Sequence, residues 1–215
     1  MQAVTPRAHR ADAAMTDPLL LDIPTPIETA RLVVRPHRTG DGPLLHAALA
    51  ASIVELRRFL WNLPWVAEEP TAESAERRCR TCEANFIART DLAFLVFDKA
   101  GGGLVASVGL HRIDWQVPKM EVGYWVRTSA AGNGHVTEAV SAVVACAFEH
   151  LGAQRVELVT DEENVASHRV AQRCGFALEG ILRHAQRGAD GGLRNMCLYA
   201  KLPPRAGSPV DGAAR

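Results

Sequence analysis

Gly132 and Gly134 stand two residues apart in VRTSAAGNGHVTEA, residues 126–139, where alternating and partly apolar residues give way to good helix formers. At a helix start the first N–H groups have no intrahelical partner, and together with the helix dipole they form a local anion site. Glycine lets the backbone approach phosphate oxygens with no Cβ in the way. The spacing is not the GxGxxG of a dinucleotide fold, and no GKS or GKT follows. The residues alone leave two readings open, a phosphate seat or a plain turn. Cys79 and Cys82 form a CxxC inside the helix-like segment TAESAERRCRTCEANFIART, with no second cysteine or histidine pair at zinc spacing. Neighbours at i,i+3 share a helix face, so ordinary reduced cysteines are expected, with a redox pair as the alternative.

Composition bounds what such sites can serve. The chain has 215 residues, 47% hydrophobic and 22% charged, enough for one well-buried domain and short for two. Lys plus Arg and Asp plus Glu both number 24, a formal net charge of +0. No global field therefore favours nucleic acid or a membrane, and an anion must be bound locally. No run nears the ~20 apolar residues of a bilayer span, and the N-terminal MQAVTPRAHRADAAMTD lacks the apolar core of a secretory signal, so a cytoplasmic protein is expected. The five cysteines are odd in number and scattered, unlike a disulfide framework. Residues 1–25 and 203–215 lack periodicity and are expected to be disordered around one domain at 26–202, with Met15 an alternative start.

The elements that must position these residues alternate in type. ETARLVVRPH at 28–37 reads as a strand, a largely apolar helix follows at 41–60, and NLPWVAEEP reads as a loop. A helix starts near Thr71, its N-cap. DLAFLVFD (91–98) and LVASVGLHRID (104–114) form a hairpin across KAGGG, and KMEVGYWVR (119–127) is the next strand. After the glycines, Val136, Val140, Val143, Val144, Ala147 and Leu151 share a helical face that Gly152 ends. QRVELVT at 154–160 completes a parallel crossover. A helix from Asn164 to Cys174 and two strands flanking GADGG close the chain. The pattern predicts a mixed sheet in an α+β layer fold.

The series ETARLVVRP, GLHRID, EVGYWV, AAGNGHVTEAV and NVASHRVAQRCGF, in this order across residues 27–202, resembles the GNAT superfamily of acyl-CoA-dependent N-acyltransferases, and most of all its RimJ/RimL-type branch. The resemblance implies a mostly antiparallel sheet of six to seven strands with a central, splayed parallel pair and about four flanking helices. It implies acetyl-CoA as acyl donor, no metal, a primary amine on a protein N-terminus or small molecule as acceptor, and a homodimer. The family's phosphate loop, Q/R-x-x-G-x-G/A, falls on Ser129, Gly132 and Gly134. Ser129 replaces the long polar residue, leaving the backbone of Ala131, Gly132, Asn133, Gly134, His135, Val136 and Thr137 to hold the pyrophosphate. Pantetheine would lie along Tyr124, Trp125 and Val126, with a backbone N–H polarising the thioester carbonyl. Asn164, Ser167, Ala171 and Cys174 share a helix face, and the family's N-x-x-S falls on Asn164 and Ser167, beside pantetheine; Asn164 also suits a helix N-cap.

The amine must lose a proton before or during attack. No tyrosine follows the GF of RCGF, where many family members protonate the leaving thiolate. The resemblance then implies Ser167 at the thiolate and Glu121 as base, with His111 as the competing base because imidazole titrates near neutral pH. The acceptor groove would be built around Arg57, Arg58, Trp61, NLPWVAEEP and the turn near 186–194. Arg57 or Arg58 would serve a larger acyl group such as succinyl if they face the pocket. A CoA-binding module without turnover, acting as a sensor, is the alternative of a different class.

Overall fold

The computed structural model describes residues 17–204. Its strands are β1 (Ile27–Glu28), β2 (Leu32–Pro36), β3 (Leu92–Asp98), β4 (Leu104–Asp114), β5 (Lys119–Val126), β6 (Arg155–Asp161), β7 (Ala177–Arg187) and β8 (Leu193–Lys201). They form one sheet in the order β1-β2-β3-β4-β5-β6-β8-β7, antiparallel except for the parallel pair β5–β6. The helices are α1 (Gly42–Ala50), α2 (Ile53–Leu60), α3 (Pro64–Ala67), α4 (Ala72–Ile87), α5 (His135–His150) and α6 (Val165–Arg173). The α+β class and the parallel central pair are as expected.

Among the described residues, eight strands and six helices exceed the expected counts because two segments break and one expected loop holds a helical turn. The strand expected at 28–37 is interrupted where Thr29 N–H closes a turn on Leu32 O and both Thr29 and Arg31 reach Glu138 of α5. The helix expected at 41–60 divides at Ser52, whose φ of −131° leaves the helix and whose hydroxyl accepts the Thr128 N–H at 3.0 Å. The expected loop NLPWVAEEP contains the one-turn helix α3. Thr71 caps α4 in a reciprocal box with Ser74.

Alternation along the strands sorts side chains onto two faces. On one, α5 lays Val140, Val143, Val144 and Ala147, and α6 lays Ala171, with Cys174 just past its end, on Val108, Leu110, Val122 and Leu158. On the other, Leu45, Leu49, Leu56, Ala75 and Cys79 from α1, α2 and α4 pack on Leu95 and Trp125. Residues 17–25, assigned above to a disordered extension, include a 3-10 turn at Pro18–Leu20, and Leu21 and Ile23 pack on the first core. The rest of that extension, with Met15, and the tail from 205 lie outside the described residues.

Candidate active site

No side chain caps the start of α5. Gly134 is its N-cap at φ 78°, and Gly132 takes φ 80°, left-handed backbone that glycine adopts at no steric cost. Among the described residues the backbone N–H groups of Gly132, Asn133, Gly134, His135, Val136 and Thr137 reach no protein acceptor; the first that does is Glu138, bonded to Gly134 O at 3.1 Å. A Cβ at Gly132 would meet nothing within 4 Å, so this side of the loop is open. Successive free donors at a helix N-terminus make an anion seat rather than a plain turn. Ala131 does not contribute a donor, because its N–H closes a turn on Thr128 O at 3.2 Å.

Arg31 steadies this loop. Its Nη1 donates to Asn133 O at 2.9 Å while Nε and Nη2 hold the Glu138 carboxylate at 2.7 and 2.6 Å. With Thr29 Oγ1 and Arg31 N–H donating to the same carboxylate, Glu138 stays ionised below the usual carboxylate range despite its partial burial. Sequence reasoning did not find Arg31, since its partners are more than a hundred residues away and no motif joins them.

Beside the seat the sheet opens. β5 and β6 pair only where Lys119, Met120 and Glu121 meet Arg155, Val156 and Glu157, and beyond that point they have no ladder contact. Tyr124 faces the α6 side of this gap, with Oη 2.6 Å from Ser167 Oγ. Ser167 is delivered by the start of α6, where Asn164 Oδ1 accepts the Ser167 N–H at 3.1 Å. Asn164 is therefore the N-cap, a role worth about 1 kcal/mol. Burial pushes the Tyr124 phenol up to about 12, outweighing its hydrogen bond with Ser167, so it keeps its proton at neutral pH. The sequence named Tyr124 for its backbone only.

The α1–α4 face carries the other candidates. Strand register sets Ala93, Gly109 and Gly123 side by side on β3, β4 and β5, and His111 beside Glu121 in the neighbouring row. The two glycines leave a trough that the imidazole partly covers. A Cβ on Gly109 would lie 2.7 Å from His111 Cε1 and Nε2, and one on Gly123 3.0 Å from Cδ2. His111 Nδ1 is 2.6 Å from Asp91 Oδ2. A carboxylate only accepts, so Nδ1 carries a proton and Nε2 is the ring's remaining basic position. Glu121 is ion-paired to Arg112, a largely exposed partner and hence a screened contact. His111 and Glu121 thus lie together, across the sheet from Ser167. Asp91 escaped the sequence reading because it reads as the polar first residue of a strand; its role depends on register with β4.

Trp125 turns its side chain away from the gap, onto Trp65 with ring centroids 6.2 Å apart, leaving only its backbone for pantetheine. In the expected acceptor region a narrow crevice joins Arg58, Phe59 and Trp61 to Gln186, Arg187, Arg194 and Met196. Arg57 is engaged elsewhere, donating to Val66 O and Glu68 O and pairing with Glu69 at 2.7 Å. Cys79 and Cys82 are buried free thiols, and burial pushes Cys79 up to about 12, which suits inert packing.

The family model for the acetyltransferase (GNAT) domain matches residues 31–177. The chain belongs to the GNAT acetyltransferase family. This GNAT chain is 26% identical over 157 residues to the protein named uncharacterized N-acetyltransferase YoaA of Bacillus subtilis (strain 168), covering 73% of the chain and 85% of that protein. It is 29% identical over 109 residues to the ribosomal-protein-serine acetyltransferase of Escherichia coli (strain K12), covering 51% of the chain and 59% of that protein. Among solved structures, RimL, a ribosomal L7/L12 alpha-N-protein acetyltransferase in complex with coenzyme A, shares the GNAT fold at TM-score 0.75 and 20% identity, covering 84% of this chain and 97% of that one. These relatives agree with the RimJ/RimL-type resemblance of the sequence.

Proposed function

We propose that the protein transfers an acetyl group from acetyl-CoA directly to a primary amine, on a protein N-terminus or a small molecule. The observation that carries this reading is the run of free backbone donors from Gly132 to Thr137 opening onto the gap between β5 and β6. On this reading those donors hold the pyrophosphate, and pantetheine lies along the backbone of Tyr124, Trp125 and Val126. His111 Nε2, with Asp91 fixing the ring, takes the proton of the attacking amine from the α1–α4 face. A β5 N–H stabilises the charge that builds on the thioester oxygen. As the C–N bond forms and the C–S bond breaks, Ser167 gives its hydroxyl proton to the departing sulfur and takes one from Tyr124, which is reprotonated from solvent as His111 releases the amine proton to solvent. Glu121, the other candidate base, adds negative charge that draws an ammonium group to the trough.

The test is release of CoA thiol from acetyl-CoA with a panel of amines, including peptides with N-terminal serine or alanine, alongside calorimetry with CoA. Amine-dependent thiol release is expected. CoA binding with no release for any amine would instead favour the sensor reading, and no CoA binding would sink both.

We also propose a cytoplasmic homodimer. No helix among the described residues is long and apolar enough to cross a membrane. β7 is the outer strand of the sheet, with Leu178, Ile181 and Leu182 exposed. Light scattering of a monomer at micromolar concentration would refute the dimer.

A further inference from the structure

The trough of Ala93, Gly109 and Gly123 is bounded by more than the His111 row. Trp125 stands one row away on the same face, Trp65 packs on it, and Arg78 of α4 stacks its guanidinium over the Trp65 ring at 4.3 Å. The charge of Arg78 is felt at Asp91, which holds His111, and at His37 at the end of β2. Arg31, Arg35, Arg57, Arg80, Arg155 and Arg194 all pair with carboxylates. The Arg78 guanidinium, half-buried on the Trp65 ring, has neither an ion pair nor a hydrogen bond among the described residues. His37 beside it is 1% exposed, and neither ring nitrogen has a partner. A guanidinium that no carboxylate of the protein holds is free to take one from a ligand, and its planar fork fits a carboxylate with two parallel hydrogen bonds.

We infer that Arg78 binds the carboxylate of a zwitterionic acceptor, an amino acid whose ammonium group sits at the Asp91, His111 and Glu121 end of the trough and whose side chain lies against Trp65. The opposite charges of the two ends match an amino acid and not a simple amine. A phosphoryl dianion fits less well, because the Asp91 carboxylate repels the second negative charge. The inference rests on the reading of the trough as the acceptor side of an N-acetyltransferase.

The experiment compares leucine with leucinamide, and glycine with glycinamide, as acceptors for the wild-type protein, Arg78→Gln and Arg78→Lys. The wild type is expected to favour each acid over its amide by about tenfold or more in kcat/KM, mainly through KM, with the ratio falling to within about twofold in Arg78→Gln and partly rescued in Arg78→Lys. Equal use of acid and amide by the wild type, or a ratio unmoved by Arg78→Gln, overturns the inference. So does a preference for phosphoethanolamine over the amino acids. Calorimetry of the CoA-loaded protein with 3-phenylpropionate, which has no amine, reads the same site without turnover. Binding lost in Arg78→Gln supports the carboxylate site even if no amine is acetylated, a result that would sink the enzymatic reading alone; no binding to the wild type overturns the site itself.

Discussion

Tyr124 Oη and Ser167 Oγ share one short hydrogen bond, so each hydroxyl depends on the other for its orientation. If they pass a proton to the leaving sulfur as a unit, Ser167→Ala should lower kcat about 10- to 100-fold, Tyr124→Phe less, and the double variant no more than Ser167→Ala alone. Losses that multiply in steady-state kinetics would mean that the hydroxyls act separately. Across the sheet, Asp91→Asn keeps the shape but removes the charge and lets an amide N–H donate to Nδ1, so the His111 tautomer is no longer fixed. A fall in kcat on the order of 100-fold is expected, with partial recovery in Asp91→Glu. Activity within about twofold of wild type would remove His111 as base. Ser167, Asn164 and the glycines could be read from the sequence because motif spacing within one element places them. Asp91, Arg31 and Arg78 could not, because each acquires its role from a residue on another element.

The row Ala93–Gly109–Gly123 belongs to three strands at once and gives the site its floor. Gly109→Ala would drive a methyl group to 2.7 Å from the His111 ring and 3.3 Å from Ala93 Cα. Displacing the ring should lower kcat on the order of 100-fold at a stability cost of about 1–3 kcal/mol, while CoA affinity measured by calorimetry holds. Full activity would show that the ring position does not matter. The sequence disclosed the strands through their alternation but not this row, since register is a property of pairs of strands. The same locality explains the two element breaks. Thr29 and Arg31 look like strand residues until Glu138 draws them away, and Ser52 looks helical until Thr128 takes its hydroxyl.

For the molecule as a whole, the buried His37 ties stability to acidity. Its pKa is lowered from 6.5 to about 3, chiefly by burial and further by the Arg78 charge. The unfolded chain therefore binds a proton that the folded chain refuses, and stability falls as pH drops from 6.5 toward 3. The loss at pH 5 from this one group is on the order of 2 kcal/mol. His37→Leu should match or exceed wild-type stability at pH 7 and flatten the decline between pH 7 and 5 in chemical denaturation. Parallel declines would acquit His37. The parting of β5 from β6 after Glu121 also bears on the whole sheet. It leaves the middle of the molecule with an interior selvedge, a bare length of β5 main chain where most sheets have a neighbour. An acyl donor seated there would act as a guest strand, stitching two strands whose ladder otherwise closes only at their base. Hydrogen exchange should find the amides of β5 beyond Glu121 unprotected when the protein is alone and slowed when CoA is bound, so that filling the site and finishing the fold are one event.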